Sequence, residues 1–147
     1  MARLPRIEFE GAVYHITARG NERRLIYRSE DDRRLFLETL EGMRGRFGVI
    51  LHCFCLMPNH FHLVIETPLG NLSQAMGWLQ TTYTIRFNRK YRRGGHLFQG
   101  RYKAHLVEAD AYGSGVHRVV QRLNKQAEKD KELETRMLEL RRAALAA

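Results

Sequence analysis

Hydrophobic and polar positions alternate with period two in three stretches of this chain, and a fourth stretch is apolar almost throughout. Ala12 to Ala18 is rich in β-branched and aromatic residues and alternates, which predicts a strand. Val49 to Leu56 is the near-continuous apolar run, and His60 to Glu66 and His96 to Val107 alternate again. Only the turn Met57-Pro58-Asn59 separates the second and third of these, so they predict a hairpin. Two intervening stretches have helical spacing instead. Ser29 with Glu30, Asp31 and Asp32 behind it reads as a helix start with Ser29 as N-cap. Phe36, Leu40, Met43 and Phe47 then recur on one face through about Arg46, and Gly48 ends the helix. Leu72, Ala75, Met76, Leu79 and Tyr83 mark the buried face of a second helix that reaches about Lys90. The order strand, helix, hairpin, helix, strand predicts an α+β fold: a ferredoxin-like antiparallel sheet with both helices on one face, followed by a C-terminal helical segment.

Alternation also assigns faces. Phe61, Leu63 and Ile65 point to the core, which leaves His60 and His62 side by side on the opposite face. Two imidazoles two residues apart on a strand converge on one divalent ion, with a third ligand from elsewhere. A plain strand with two half-exposed histidines satisfies the same pattern. If Tyr14 and Ile16 face the core, His15 and Thr17 join the histidine face. In the last strand Gln99, Arg101, Lys103 and His105 share one face, and Phe98, Tyr102 and Leu106 take the other. The face that the helices leave uncovered thus collects the histidines and a basic strand.

Composition narrows the partner. The 147 residues, 44% hydrophobic, suffice for one domain with an ordinary core. No apolar run approaches the ~18 residues needed to cross a bilayer. Met1 to Arg6 carries charge with no apolar signal core behind it, which predicts a cytoplasmic, nucleoid-associated protein. Cys53 and Cys55 are too few and too close for a disulfide framework and read as small buried residues. The net charge of +9 and pI near 10.1 point to a polyanion, most simply nucleic acid. An anionic membrane surface would want a helix with a basic face and a strong apolar face, and none is present. Three segments are candidates for phosphate contact: the loop with Arg19, Asn21, Arg23 and Arg24; the helix end with Arg86, Arg89, Lys90, Arg92 and Arg93 around Tyr91; and the strand with Gln99, Arg101 and Lys103. A solvated loop accounts for the first without DNA, and complementing the helix dipole accounts for the second. Beyond Glu108 the pattern weakens at Gly113-Ser114-Gly115, resumes with Val116, Val119, Val120 and Leu123, and ends in a charged helical tail. The domain division is therefore 1–124, with a tail over 125–147.

Three blocks carry a resemblance. Tyr14-His15-Ile16-Thr17 with Arg19-Gly20-Asn21, then Met57-Pro58-Asn59-His60-Phe61-His62, then His96-Leu97-Phe98-Gln99-Gly100-Arg101-Tyr102-Lys103, occur in this order. Together they resemble the single-tyrosine HUH (insertion-sequence-200-like) transposases, specifically the REP-associated tyrosine transposase branch. The resemblance implies single-stranded or hairpin DNA as partner and Mg²⁺ or Mn²⁺ as cofactor. It also implies His60 and His62 as metal ligands, and a tyrosine on a following helix that forms a 5′-phosphotyrosine link. Asn124 matches the polar position of that helix and would be the third ligand. The nucleophile position falls on Val119 or Val120, so Tyr112 is the nearest tyrosine, about 11 Å or two helical turns away. Family relatives occur as monomers and as dimers, and the tail fits either.

Two further readings stay open. The chain could be a binding module that grips single-stranded DNA without cutting it, because the usual nucleophile is missing. It could also be a basic RNA-binding protein, but that would call for solvent-facing aromatics on the sheet, and Phe61, Phe98 and Tyr102 are predicted to point inward.

Overall fold

The computed structural model describes residues 6–107. Tyr112, Val119, Val120, Asn124, the proposed boundary at 124 and the tail all lie outside the described residues. Within them the chain runs β1 (Ala12–Arg19), a single 3₁₀ turn (Asn21–Arg23), α1 (Glu30–Phe47), β2 (Ile50–Met57), β3 (His60–Thr67), α2 (Leu72–Tyr91) and β4 (Lys103–Val107). The strands form one antiparallel sheet in the order β2-β3-β1-β4. This is the ferredoxin-like arrangement that the element order predicts. No helix among the described residues is long and apolar enough to cross a membrane.

Both helices pack on the face that carries Phe61, Leu63 and Ile65, all fully buried. Phe36 of α1 lies 4.9 Å from the Phe61 ring and meets Tyr83 of α2 edge-on at 5.1 Å, the offset geometry that aromatic rings prefer. Leu40 and Met43 continue the α1 stripe, while Leu72, Ala75, Met76 and Leu79 continue that of α2. The buried Tyr83 hydroxyl donates to the Ile26 carbonyl at 2.5 Å, which keeps a polar group satisfied inside the core. α1 ends where Gly48 takes φ 64° and donates to the Arg44 carbonyl, a left-handed cap that a residue with a side chain would resist.

Four expectations need correction. Ser29 stands at the N-cap as expected, but its side chain makes no cap hydrogen bond. Instead the Asp32 carboxylate reaches back to the Arg28 backbone N–H at 2.8 Å, so an acid inside the first turn satisfies the loop leading into α1. His96 to Val107 is not one strand. Gly95 and Gly100 take φ 88° and 63°, and the chain turns at Gly100 before β4 begins at Lys103. Before that turn only Phe98 bridges, to Gly20, so Gln99 and Arg101 do not share a strand face with Lys103. Leu106 sits on the helix side of β4 but is 47% exposed, since β4 is the outer strand. Lastly, the face opposite the helices is not uniformly open: Val13, Cys53, Cys55 and Val64 share it with the histidines and are buried.

Candidate metal and nucleic-acid site

The histidine cluster is a product of strand register. β1 and β3 pair so that Thr17 stands opposite His62 and Arg19 opposite His60, while β1 and β4 pair His15 with His105 and Thr17 with Lys103. Paired residues project to the same face. A row of four imidazoles therefore crosses three strands, as His105, His15, His62 and His60. The His60 and His62 ring centroids are 5.1 Å apart with planes at 75°. His15 stacks on His62 at 5.3 Å and 15°, with its Nε2 3.1 Å from Nδ1 of His62. His105 follows at 6.5 Å from His15.

The two-residue turn between β2 and β3 fixes where His60 stands. Neither Pro58 nor Asn59 takes positive φ, so this is not one of the mirror-image turns usual in two-residue hairpins. Its carbonyls are held from outside instead. The Gly20 N–H donates to the Asn59 carbonyl at 2.8 Å, and the Ile26 N–H to the Pro58 carbonyl at 3.0 Å. The loop after β1 is thereby tied to the hairpin tip. Asn21 and Gln99 complete the junction, the first donating to the Leu97 carbonyl and the second to the Arg19 carbonyl, each from its backbone N–H at 2.8 Å.

The donor set fits a divalent ion in part. Burial, and then the Arg19 guanidinium, hold the His60 imidazole below its ordinary pKa. Its neutral form is therefore favoured, which is the form a metal requires. His15 meets His62 through a hydrogen bond between stacked rings. Among the described residues no group of three or more His, Cys, Asp or Glu side chains could hold an ion. Asn124, the expected third donor, lies outside the described residues.

The basic candidates divide into groups. Arg19 and Lys103 are exposed and share the histidine face. Asn21, Arg24 and Arg93 line a narrow cleft of about 60 Å³ with Arg28, Phe87 and His96. Within it Arg24 is paired with Glu22 at 2.9 Å, and Arg93 is held by Asn88 and the His96 carbonyl. Arg23 closes the 3₁₀ turn, Arg89 lies exposed in the last turn of α2, and Arg92 takes φ 50° as its left-handed cap. Arg86 and Lys90 have structural partners: Arg86 donates to Thr39 at 3.0 Å and Lys90 to Asp32 at 2.6 Å. Gln99 and Arg101 line a broad, shallow cleft of about 600 Å³ with Arg6, Lys103 and His105. On the far half of the histidine face Glu66 meets His52 at 3.2 Å.

Sequence reasoning placed His60, His62, His15 and Thr17 on one face but missed the contact between His15 and His62. It also missed Asn59, whose side chain lies 2.7 Å from His60. The one available signal was its position, immediately before the first histidine in a tight turn.

Among solved structures the fold is similar to that of a REP-associated tyrosine transposase bound to a REP hairpin. The TM-score is 0.61 at 14% identity, with 78% of this chain and 67% of that one covered. It is also similar to a putative transposase from Deinococcus radiodurans R1, with TM-score 0.56 at 16% identity, covering 83% of this chain and 98% of that one. At such identities the likeness is one of fold. No curated protein matches the chain. The family described as "Transposase IS200 like" matches residues 8–122, which contain every described strand and helix together with the histidine pair, and the chain belongs to that family.

Proposed function

We propose that this transposase-family protein binds single-stranded or hairpin DNA on its histidine face and, with Mg²⁺ or Mn²⁺, cuts and rejoins one strand. The observation that carries the reading is the convergence of His60 and His62 beside the exposed cations Arg19 and Lys103. The hairpin named for the structurally similar REP-associated transposase supports the choice of DNA. His60 and His62 would hold the ion, with Asn124 as third donor. A divalent ion there supplies Lewis-acid polarisation of the scissile phosphate. Arg19 and Lys103 neutralise flanking phosphates, and the basic turn and Arg93 extend the contact along the strand. Tyr112 is the proposed nucleophile. Its oxygen bonds to phosphorus as the bond to the 3′ oxygen breaks, the tyrosine proton ends on that departing oxygen, and a 5′-phosphotyrosine remains. Reversal by another 3′-hydroxyl rejoins DNA without an external energy source.

A second reading is favoured by Val119 and Val120 at the usual nucleophile position: DNA binding without cleavage. Incubation with a panel of single-stranded hairpin oligonucleotides and Mn²⁺, resolved on a denaturing protein gel, separates the two. The first reading expects a slow-migrating covalent band that Tyr112→Phe abolishes without weakening a gel-shift signal. Tight binding with no covalent band across the panel would establish the second, and a metal-dependent nick without a band would assign the attack to water.

A further inference from the structure

We propose that Asn59 is a positioning residue that couples the basic turn Asn21–Arg23 to the tautomer of His60, an inference that rests on the reading of His60 as a metal ligand. The Asn59 amide stands between two partners. Its Nδ2 donates to the Arg23 backbone carbonyl at 3.2 Å, and its Oδ1 lies 2.7 Å from Nδ1 of His60. A carbonyl oxygen only accepts. The Arg23 carbonyl therefore decides which end of the amide is the NH₂, and it turns Oδ1 toward His60. Oδ1 also only accepts, so the short contact places a proton on Nδ1 of His60. A neutral imidazole protonated at Nδ1 carries its lone pair on Nε2, where an incoming ion would bind. Fixing a ligand's tautomer through its other nitrogen is what groups behind a metal centre do.

The contact between Nδ1 of His62 and Nε2 of His15 does not by itself say which ring donates, whereas the Asn59 amide fixes His60 before any ion arrives.

The other end of the link is backbone under strain. Glu22 and Arg23 take φ 56° and 58°, left-handed values uncommon for residues with side chains. That conformation presents the Arg23 carbonyl to Asn59, and the hydrogen bond from the Gly20 N–H to the Asn59 carbonyl holds the two segments in register. A phosphate drawn to Arg23 or Arg24 that reshapes this turn would move the Arg23 carbonyl and so release or tighten the amide on His60. DNA contact and ligand geometry are then coupled through one side chain.

The test uses the full chain labelled with ¹⁵N-histidine, without metal, above the histidine titration range, with long-range ¹H–¹⁵N spectra and His60→Gln to assign the signals. His60 is expected to show a protonated Nδ1 and a bare Nε2. Asn59→Ala should move it toward the opposite tautomer, whereas Asn59→Asp, which keeps an acceptor facing Nδ1, should retain the wild-type signal. Mn²⁺ titration by calorimetry should show about 10–100-fold weaker binding for Asn59→Ala and at most a few-fold change for Asn59→Asp. A wild-type His60 protonated on Nε2, or an unchanged tautomer in Asn59→Ala, overturns the proposal. The wild-type spectrum decides even where a variant fails to fold. If the tautomer responds as stated but the wild type takes up no Mn²⁺, the reading of His60 as a ligand fails and the Asn59 link stands.

Discussion

Asp32 is fully buried at the start of α1 and joins the loop before that helix to the end of α2. Its carboxylate accepts from the Arg28 backbone N–H at 2.8 Å, from the Tyr91 hydroxyl at 2.5 Å and from Lys90 Nζ at 2.6 Å. Arg28 in turn stacks over the Tyr91 ring at 4.3 Å. The carboxylate therefore clamps the loop before α1 to the basic end of α2. In Asp32→Ala the Arg28 N–H and the Tyr91 hydroxyl lose charge-assisted bonds worth about 1.5–3 kcal/mol each. Relief from burying a charge returns part of this, since that penalty is several kcal/mol on its own. Lys90 is counted as nothing, because it turns back into water. The net expectation is a loss of about 2–4 kcal/mol, and for a chain of 147 residues that lowers Tm by about 5–15 °C. Asp32→Asn keeps the shape, but its NH₂ must face either Lys90 or the Tyr91 and Arg28 donors, so it should cost about 2 kcal/mol.

The pH dependence gives a sharper check. Burial pushes the Asp32 carboxyl up, but the bonds from Lys90, Tyr91 and Arg28 outweigh it and hold the group below its ordinary value. A carboxyl whose folded pKa is depressed contributes stability above its unfolded pKa of about 3.9. That contribution disappears as pH falls through the folded value. Urea denaturation at pH 7 should therefore separate wild type from Asp32→Asn, and the gap should close as pH drops below about 4. A gap that persists unchanged to pH 3, or an Asp32→Ala variant within about 0.5 kcal/mol of wild type at pH 7, would refute the account of a charged clamp.

Three further outcomes concern the histidine face, the hairpin junction and the core. Arg19→Ala and Lys103→Ala each remove one exposed cation from the histidine face, so the slope of log affinity for hairpin DNA against log salt should fall by about 1 unit apiece; an unchanged slope removes that residue from the DNA path. Gly20→Ala should disrupt the junction between the 3₁₀ turn and the hairpin tip, because a Cβ there would run into the Arg24 carbonyl and the Ile26 side chain. Hydrogen exchange should show it as faster exchange at the Gly20 and Ile26 amides, with α2 unaffected. Phe36→Ala leaves a void among Tyr27, Phe61 and Tyr83, and thermal unfolding should report a loss of about 3–5 kcal/mol; a loss under 1 kcal/mol would mean the three rings close over the gap.

How far the fold could be read from sequence depends on what alternation reports. At His60 to Glu66 the pattern gave burial and pairing together, because a strand inside a sheet has one buried face and two neighbours. At His96 to Val107 it gave burial alone. Phe98 and Tyr102 are buried as their spacing predicts, yet the left-handed turn at Gly100 lies between them and the segment is a strand only from Lys103. Two buried aromatics four residues apart do not require a ladder. Polar partners were less legible still. Asp32 meets Lys90 across 58 positions, and Asn59 meets the Arg23 carbonyl across 36, distances at which no local propensity speaks.

The histidine row shows the limit most clearly. Hydrophobic alternation decides which residues of β1 and β3 share a face, since a slip by one residue would send His15 and Thr17 into the core. A slip by two would keep every apolar residue inside and still separate Thr17 from His62 and Arg19 from His60. Bonds at the two ends of the pair oppose that slip: Gly11 to Thr67 at one end, and at the other those from Gly20 to Asn59 and from Ile26 to Pro58, which tie the end of β1 to the hairpin tip. The same junction carries Asn59 to His60 and the basic turn to the histidine face. A variant that loosens it should therefore weaken the ion site and DNA contact together, while leaving the aromatic core in place.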